Sequence, residues 1–276
     1  MFSYLSKVSI RARVLFTIAL PVLGMLGFAS MVAIDSRAKS LEMGRVVELA
    51  GVAPFVSGLI HELQKERGAS AGYIGSKGGD VTAADLKSQH TLTRDVLVTF
   101  NSTLDDFDLV AFGADLTDRI NKARGNVAKL GPERSKVIKF NTTVPKMASY
   151  YTGTITSLLE IIHEISGLST DPKISTATIA YVNLLESKER AGRERAMGAA
   201  GFGSGEFQQG IYGKFTSLIA TQGSYLDVFN KNASQEQINF YMATVKGPDV
   251  DEVSRMRALA INNAFGGDLE GVTGRV

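Results

Sequence analysis

The chain has 276 residues, with 30 Lys and Arg against 28 Asp and Glu, a formal net charge of +2, and neither Cys nor Trp. Near-neutrality excludes a protein that meets nucleic acid over its whole surface. The missing Cys excludes disulfide frameworks, thiolate metal sites and a Cys nucleophile, while 28 glycines beside only 6 prolines ask for an explanation in turns or close helix contacts.

Val14 to Ile34 is the first element, 21 residues without a charged side chain, and about 20 apolar residues suffice to cross a hydrocarbon core. Lys7, Arg11 and Arg13 precede it, and Asp35 follows at once. The spacing predicts a transmembrane helix over 14–34. By the positive-inside rule, residues 1–13 are cytoplasmic and 35–276 lie outside, on the periplasmic or extracellular face of the inner membrane. A cleaved signal peptide is the competing reading, but its apolar region usually runs only ~7–15 residues before a small-x-small site. With the three leading basic residues set aside, the remainder holds 27 bases against 28 acids, so a charged ligand there must be held by local arrangement.

Beyond the anchor the periodicity is helical. Val52, Val56, Leu59, Leu63, Ser70 and Tyr73 form one stripe at 3–4 spacing, ending in the turn Gly75–Asp80. A second helix is predicted over Thr82–Asp108 with Leu86, Leu92, Val96, Phe100, Leu104 and Phe107 inward, and a third over Leu116–Leu130. Pro132 is placed to open a fourth, with Pro145 inside or interrupting it. Lys146–Gly167 is apolar on one face, through Tyr150, Ile155, Leu158, Leu159, Ile162 and Ile165, and Ser169 to Pro172 ends it. Thr176–Ala200, Glu206–Asn230 and Gln235–Val245 follow; Ser234 with Gln237 reads as a capping box. Pro248 starts a last helix towards Ala264. The fold class is all-α, with more long helices than one four-helix bundle uses.

Enzyme signatures do not assemble. His61-Glu62 and His163-Glu164 lack the second His of a helical zinc motif, and Gly201-x-Gly203-x-Gly205 lacks dinucleotide spacing. Asp105 and Asp106 read as a solvated helix end, and the triplets at Asn101, Asn141 and Asn232 are short enough to arise by chance. The expectation is no enzyme, no metal and no cofactor.

Two segments carry chemistry. Gln64-Lys65-Glu66-Arg67-Gly68-Ala69-Ser70-Ala71-Gly72 and Lys188-Glu189-Arg190-Ala191-Gly192-Arg193-Glu194-Arg195-Ala196 each set Glu-Arg beside very small residues, 128 residues apart. Small residues let helices approach closely, and an Arg at the edge of such a contact can aim into the gap. Two guanidiniums across one gap form a site for a planar oxyanion. The alternative is ordinary pairing of these arginines with Glu66 and Glu194. Tyr150-Tyr151 and Gln208-Gln209 could line a polar pocket or be core and surface residues respectively.

These two segments, with Tyr151-Thr152-x-x-Ile155-x-x-Leu158-Leu159 and Gln222-x-x-Tyr225-Leu226-x-x-Phe229, resemble the nitrate- and nitrite-sensing (NIT) domain of bacterial membrane receptors. The resemblance covers roughly Val52 to Phe265. It implies two stacked up-down four-helix bundles sharing long helices, and nitrate or nitrite held by arginines of the two signature helices. Carried over by motif, Arg67 and Arg195 are ligands, Arg190 and Arg193 stand beside them, and Gly68 and Ser70 shape the contact. Ala69 replaces the larger apolar residue usual in the motif. Family members of this topology cross the membrane again and carry a cytoplasmic output module. Here no second apolar span follows, and Gly266 to Gly271 reads as the approach to a final helix, so a truncated chain is expected. The expectation is a homodimeric receptor input domain, chemoreceptor-like in output, with no nucleic-acid partner. Its competitors are a sensor of another small anion or amino acid and a helical dimerisation stalk.

Overall fold

The computed structural model describes residues 9–79, 81–169, 171–265 and 269. Lys7 and the Gly266–Gly271 approach, apart from Leu269, lie outside them. Among the described residues the regular structure is helical: α1 (Ile10–Ala50), α2 (Ala53–Gly75), α3 (Ala83–Asp105), α4 (Ala114–Val127), α5 (Leu130–Ile138), α6 (Val144–Gly167), α7 (Pro172–Gly203), α8 (Gln209–Asn232), α9 (Gln235–Thr244) and α10 (Pro248–Asn263), with a 3₁₀ turn over Leu109–Phe112.

The chain divides into two units, at Glu48 and Leu49. The first is most of α1. It contains a stretch, Ile10–Leu41, of mean hydropathy 2.1 and with nothing buried, long and apolar enough to cross a membrane. Pro21 lies inside this helix. Membrane spans and signal sequences share these properties.

In the second unit, local signals fix most boundaries. Thr82 caps α3 through a reciprocal box with Asp85, and Ser234 does the same for α9 with Gln237. Asp171 accepts from the amides of Lys173 and Ile174 ahead of Pro172. The fourth predicted helix is in fact two. Pro132 sits in the first turn of α5, the chain turns at Phe140 with φ 53°, and Pro145 opens α6 rather than interrupting it, where its lost amide costs nothing.

Two apolar cores form. The first joins α2, α3, α4 and α6 through Leu59, Leu63, Phe100, Leu104, Leu116, Ile120, Leu158 and Ile162. Every residue of the predicted 52–73 stripe is buried. Leu92 departs from expectation: it is 49% exposed, because α3 turns a narrower face to the core. The second core is smaller and joins Phe207, Phe215, Ala260 and Ala264 with Met197, Phe202 and Leu259, from α7, α8, α10 and the residues beside them. α9 buries no residue. One helix serves both cores: α7 gives Val182 and Leu185 to the first, and Met197 and Phe202 to the second. Between those contributions Glu186, Ser187, Glu189 and Glu194 are buried, so the middle of α7 is a polar layer between two apolar ones.

Candidate functional site

α2 and α7 run parallel along this layer. His61 meets Lys188, Gln64 meets Glu189, Arg67 meets Gly192 and Gly68 meets Arg195, with residue numbers rising together on both helices. The two glycines explain the spacing. A Cβ on Gly192 would stand 3.1 Å from Arg67 Nη2, and one on Gly68 would stand 3.6 Å from Arg195 Nη2. Each arginine therefore lies over the other helix's glycine, which accounts for part of the glycine excess.

Arg67 is 6% exposed, and its fork grips Glu189, itself 1% exposed: Nη1 donates to Oε1 at 2.7 Å and Nη2 to Oε2 at 3.1 Å. Nη1 also donates to Thr152 Oγ1 at 2.8 Å, and Gln64 Nε2 donates to Glu189 Oε2 at 2.9 Å. Arg195 differs. Its side chain is exposed, and among the described residues it has no hydrogen bond or ion pair. The pair is one buried, neutralised guanidinium beside one exposed, uncompensated one, not two buried cations.

Neither Glu66 nor Glu194 pairs with the arginine next to it in sequence. Neighbours on a helix point about 100° apart, and each Glu faces the core side instead. Glu66 is fully buried and takes a fork from Arg134 on α5, at 2.8 and 2.7 Å, and the Tyr151 hydroxyl at 2.6 Å. Burial opposes its charge, but Arg134 and these hydrogen bonds outweigh that and hold its carboxyl below the usual range. The same burial and the adjacent Glu66 charge push the Tyr151 hydroxyl well up. Glu194 repeats the pattern: Arg257 on α10 forks it at 2.6 and 2.6 Å, and Gln222 on α8 donates at 2.9 Å. Arg134 follows Glu66 by 68 residues and Arg257 follows Glu194 by 63. Both partners come from helices far along the chain, and the sequence carries no local signal for either.

The other predicted positions separate. Arg190 turns to α8: it pairs with Glu186, donates to the Tyr225 hydroxyl at 3.2 Å and stacks 4.7 Å above that ring. Arg193 is half-buried. Ser70 is buried beside Tyr151, with its hydroxyl oxygen unpartnered. Tyr150 donates to the Asn126 carbonyl, and Gln208 and Gln209 are on the surface. The α2–α7 contact thus brings together Arg67, Gly68, Gly192 and Arg195, with Thr152 and Glu189, two residues that the sequence reading did not single out as contacts. No cluster of metal-ligating side chains occurs among the described residues. Arg67 with Glu189, Glu66 with Arg134 and Glu194 with Arg257 each cancel, and Arg195 has no carboxylate partner among the described residues.

Comparison with known proteins meets this geometry. A family model for nitrate and nitrite sensing matches residues 58–275. A nitrate regulatory protein from Klebsiella oxytoca is 30% identical over 205 residues, 73% of this chain and 51% of its own length; the chain spans about half of that curated relative. Among solved structures, the NasR transcription antiterminator superposes with a TM-score of 0.78 at 24% identity, over 89% of this chain and 66% of that one, a likeness of fold. Helices, paired signature segments and family match agree: the chain belongs to the nitrate and nitrite sensing (NIT) family.

Proposed function

We propose that the unit beginning at Leu49 is a sensory input that binds nitrate or nitrite between α2 and α7, with Arg67 and Arg195 as its direct ligands. The observation that carries this is the reciprocal placement of the two guanidiniums over Gly192 and Gly68, with one uncompensated positive charge for a monoanion. Nitrate is planar with equivalent oxygens and accepts from two forks at once. Binding draws the exposed Arg195 inward, and α7 carries that displacement from one core to the other. Burial of Arg67 counts for a ligand site and exposure of Arg195 for an inert stalk; the family match supports the sensor.

We further propose that α1 is an uncleaved anchor in the inner membrane, that residues 1–13 are cytoplasmic and the sensor lies outside, and that the receptor acts as a homodimer. Its length, its hydropathy and the basic residues ahead of it support the anchor; recovery of the expressed chain in the carbonate-washed membrane fraction is the check. The two cores correspond on this reading to the family's two bundles. The two relatives are, by name, a nitrate regulator and a transcription antiterminator; neither name supports the chemoreceptor-like output expected from the sequence.

Titration calorimetry of the full chain with sodium nitrate tests the ligand reading. Arg195→Ala and Arg67→Lys should each weaken binding at least about a hundredfold, the cost of about 3 kcal/mol for a bidentate charged contact. Lysine at 67 keeps the charge opposite Glu189, so folding is preserved. Unchanged nitrate affinity in both variants refutes the assignment.

A further inference from the structure

Glu189 has no place in a simple two-arginine anion site. Its carboxylate is buried, forks Arg67 at 2.7 and 3.1 Å, and is held by Gln64 at 2.9 Å. It has the shape, charge and bite of the proposed ligand and already sits on one of the two arginines. Lys188, next in sequence, turns instead to His61, at 3.0 Å from its Nδ1, so the fork on Glu189 comes from Arg67 and not from its own helix.

We propose that Glu189 is a built-in counter-anion that sets the charge selectivity of the site. It cancels Arg67, and the flanking Glu66–Arg134 and Glu194–Arg257 pairs are each neutral, so of the two guanidiniums proposed as ligands only Arg195 is left uncompensated. A monoanion matches that one guanidinium. A dianion leaves an excess negative charge beside a buried carboxylate, a like-charge contact in low dielectric. Glu189 also competes for the Arg67 fork, so it weakens binding of the monoanion it selects. This inference rests on the ligand reading above and deepens it.

The test is calorimetry of the full-length chain, unmodified and as Glu189→Gln and Glu189→Asp, with sodium nitrate and sodium sulfate at constant ionic strength. The unmodified chain should bind nitrate and reject sulfate. Glu189→Gln keeps the shape and removes the charge; it should bind nitrate about tenfold tighter and gain measurable sulfate binding. Glu189→Asp keeps the charge and should keep the rejection of sulfate, which also covers the case in which the Gln variant fails to fold. Weaker nitrate binding in Glu189→Gln with sulfate still rejected would show a residue that only positions Arg67, and would overturn the proposal. Sulfate binding in the Asp variant would overturn it as well. If the unmodified chain binds no nitrate at all, the ligand reading itself fails and takes this one with it.

Discussion

At the scale of single residues, the two glycines of the site are not equivalent. Gly68 faces Arg195 at an ordinary contact distance, whereas Gly192 would press a methyl group 3.1 Å from Arg67 Nη2. Alanine in a helix gains about 0.5–1 kcal/mol over glycine. Gly68→Ala should therefore hold or raise stability by about that amount. In Gly192→Ala the gain meets a displaced fork on a buried carboxylate, worth roughly 1–3 kcal/mol, and the net sign reverses. Thermal melts of both variants check this, with the loss of nitrate binding confined to Gly192→Ala. The glycines and arginines of this seam were legible because the two signature segments contain them. Their partners were not. The sequence pointed to Glu66 and Glu194 as partners of Arg67 and Arg195 by adjacency, and helix geometry turns adjacent side chains apart. Arg134 and Arg257 reach them from helices far along the chain, a tertiary fact that no local pattern encodes.

Elements were more readable than contacts, because caps and apolar stripes are local. The stripes of α2 and α6 and the capping box of α9 stood in the sequence as they stand in the fold. The break between α5 and α6 did not, since Pro132 and Pro145 are both compatible with a helix start and only the positive φ at Phe140 decides that two starts occur. α10 shows what an element owes to one ion pair. It buries only Ala260 of its helical residues, and Arg257 ties it to Glu194 at two points while also donating to Gln222 at 2.8 Å. Arg257→Ala leaves Glu194 buried without its partner, which costs about 3 kcal/mol. The loss should fall on the second core. Hydrogen exchange should accelerate in α8 and α10 while α2 and α6 keep their protection; uniform acceleration would contradict two separable cores.

For the molecule as a whole, acid is the condition that its buried charges oppose. His90 on α3 sits half-buried, with Nε2 3.7 Å from Glu66. Burial lowers its pKa from the ordinary 6.5, and nearby Arg134 adds to this while Glu66 resists. His61 is lowered too, by burial and then by Lys188 and Lys65. A histidine lowered in the folded state takes up its proton first when unfolded, so stability is intact above about pH 6.5 and is lost as pH falls below it. Glu66, lowered from 4.5, adds a second loss as pH drops through the carboxylate range. The melting temperature should therefore decline from near pH 6.5 downward, and His90→Gln should flatten the first part of that decline. A flat profile between pH 7.5 and 5.5 in the unmodified chain would contradict it.

The polar middle of α7 also limits how the helix can travel. Glu189 and Arg193 lie one turn apart on one face. Sliding α7 by a turn, about 5.4 Å, in one direction sets Arg193 against Arg67, cation against cation. Sliding it the other way brings up Leu185 and Glu186, and the buried Glu186 offers Arg67 a carboxylate in place of the one it leaves. The charge sequence works as a one-way key: a full-turn stroke of α7 is opposed in the direction that brings Arg193 to Arg67 and not in the other, so on the sensor reading any large displacement of this helix has a preferred sense.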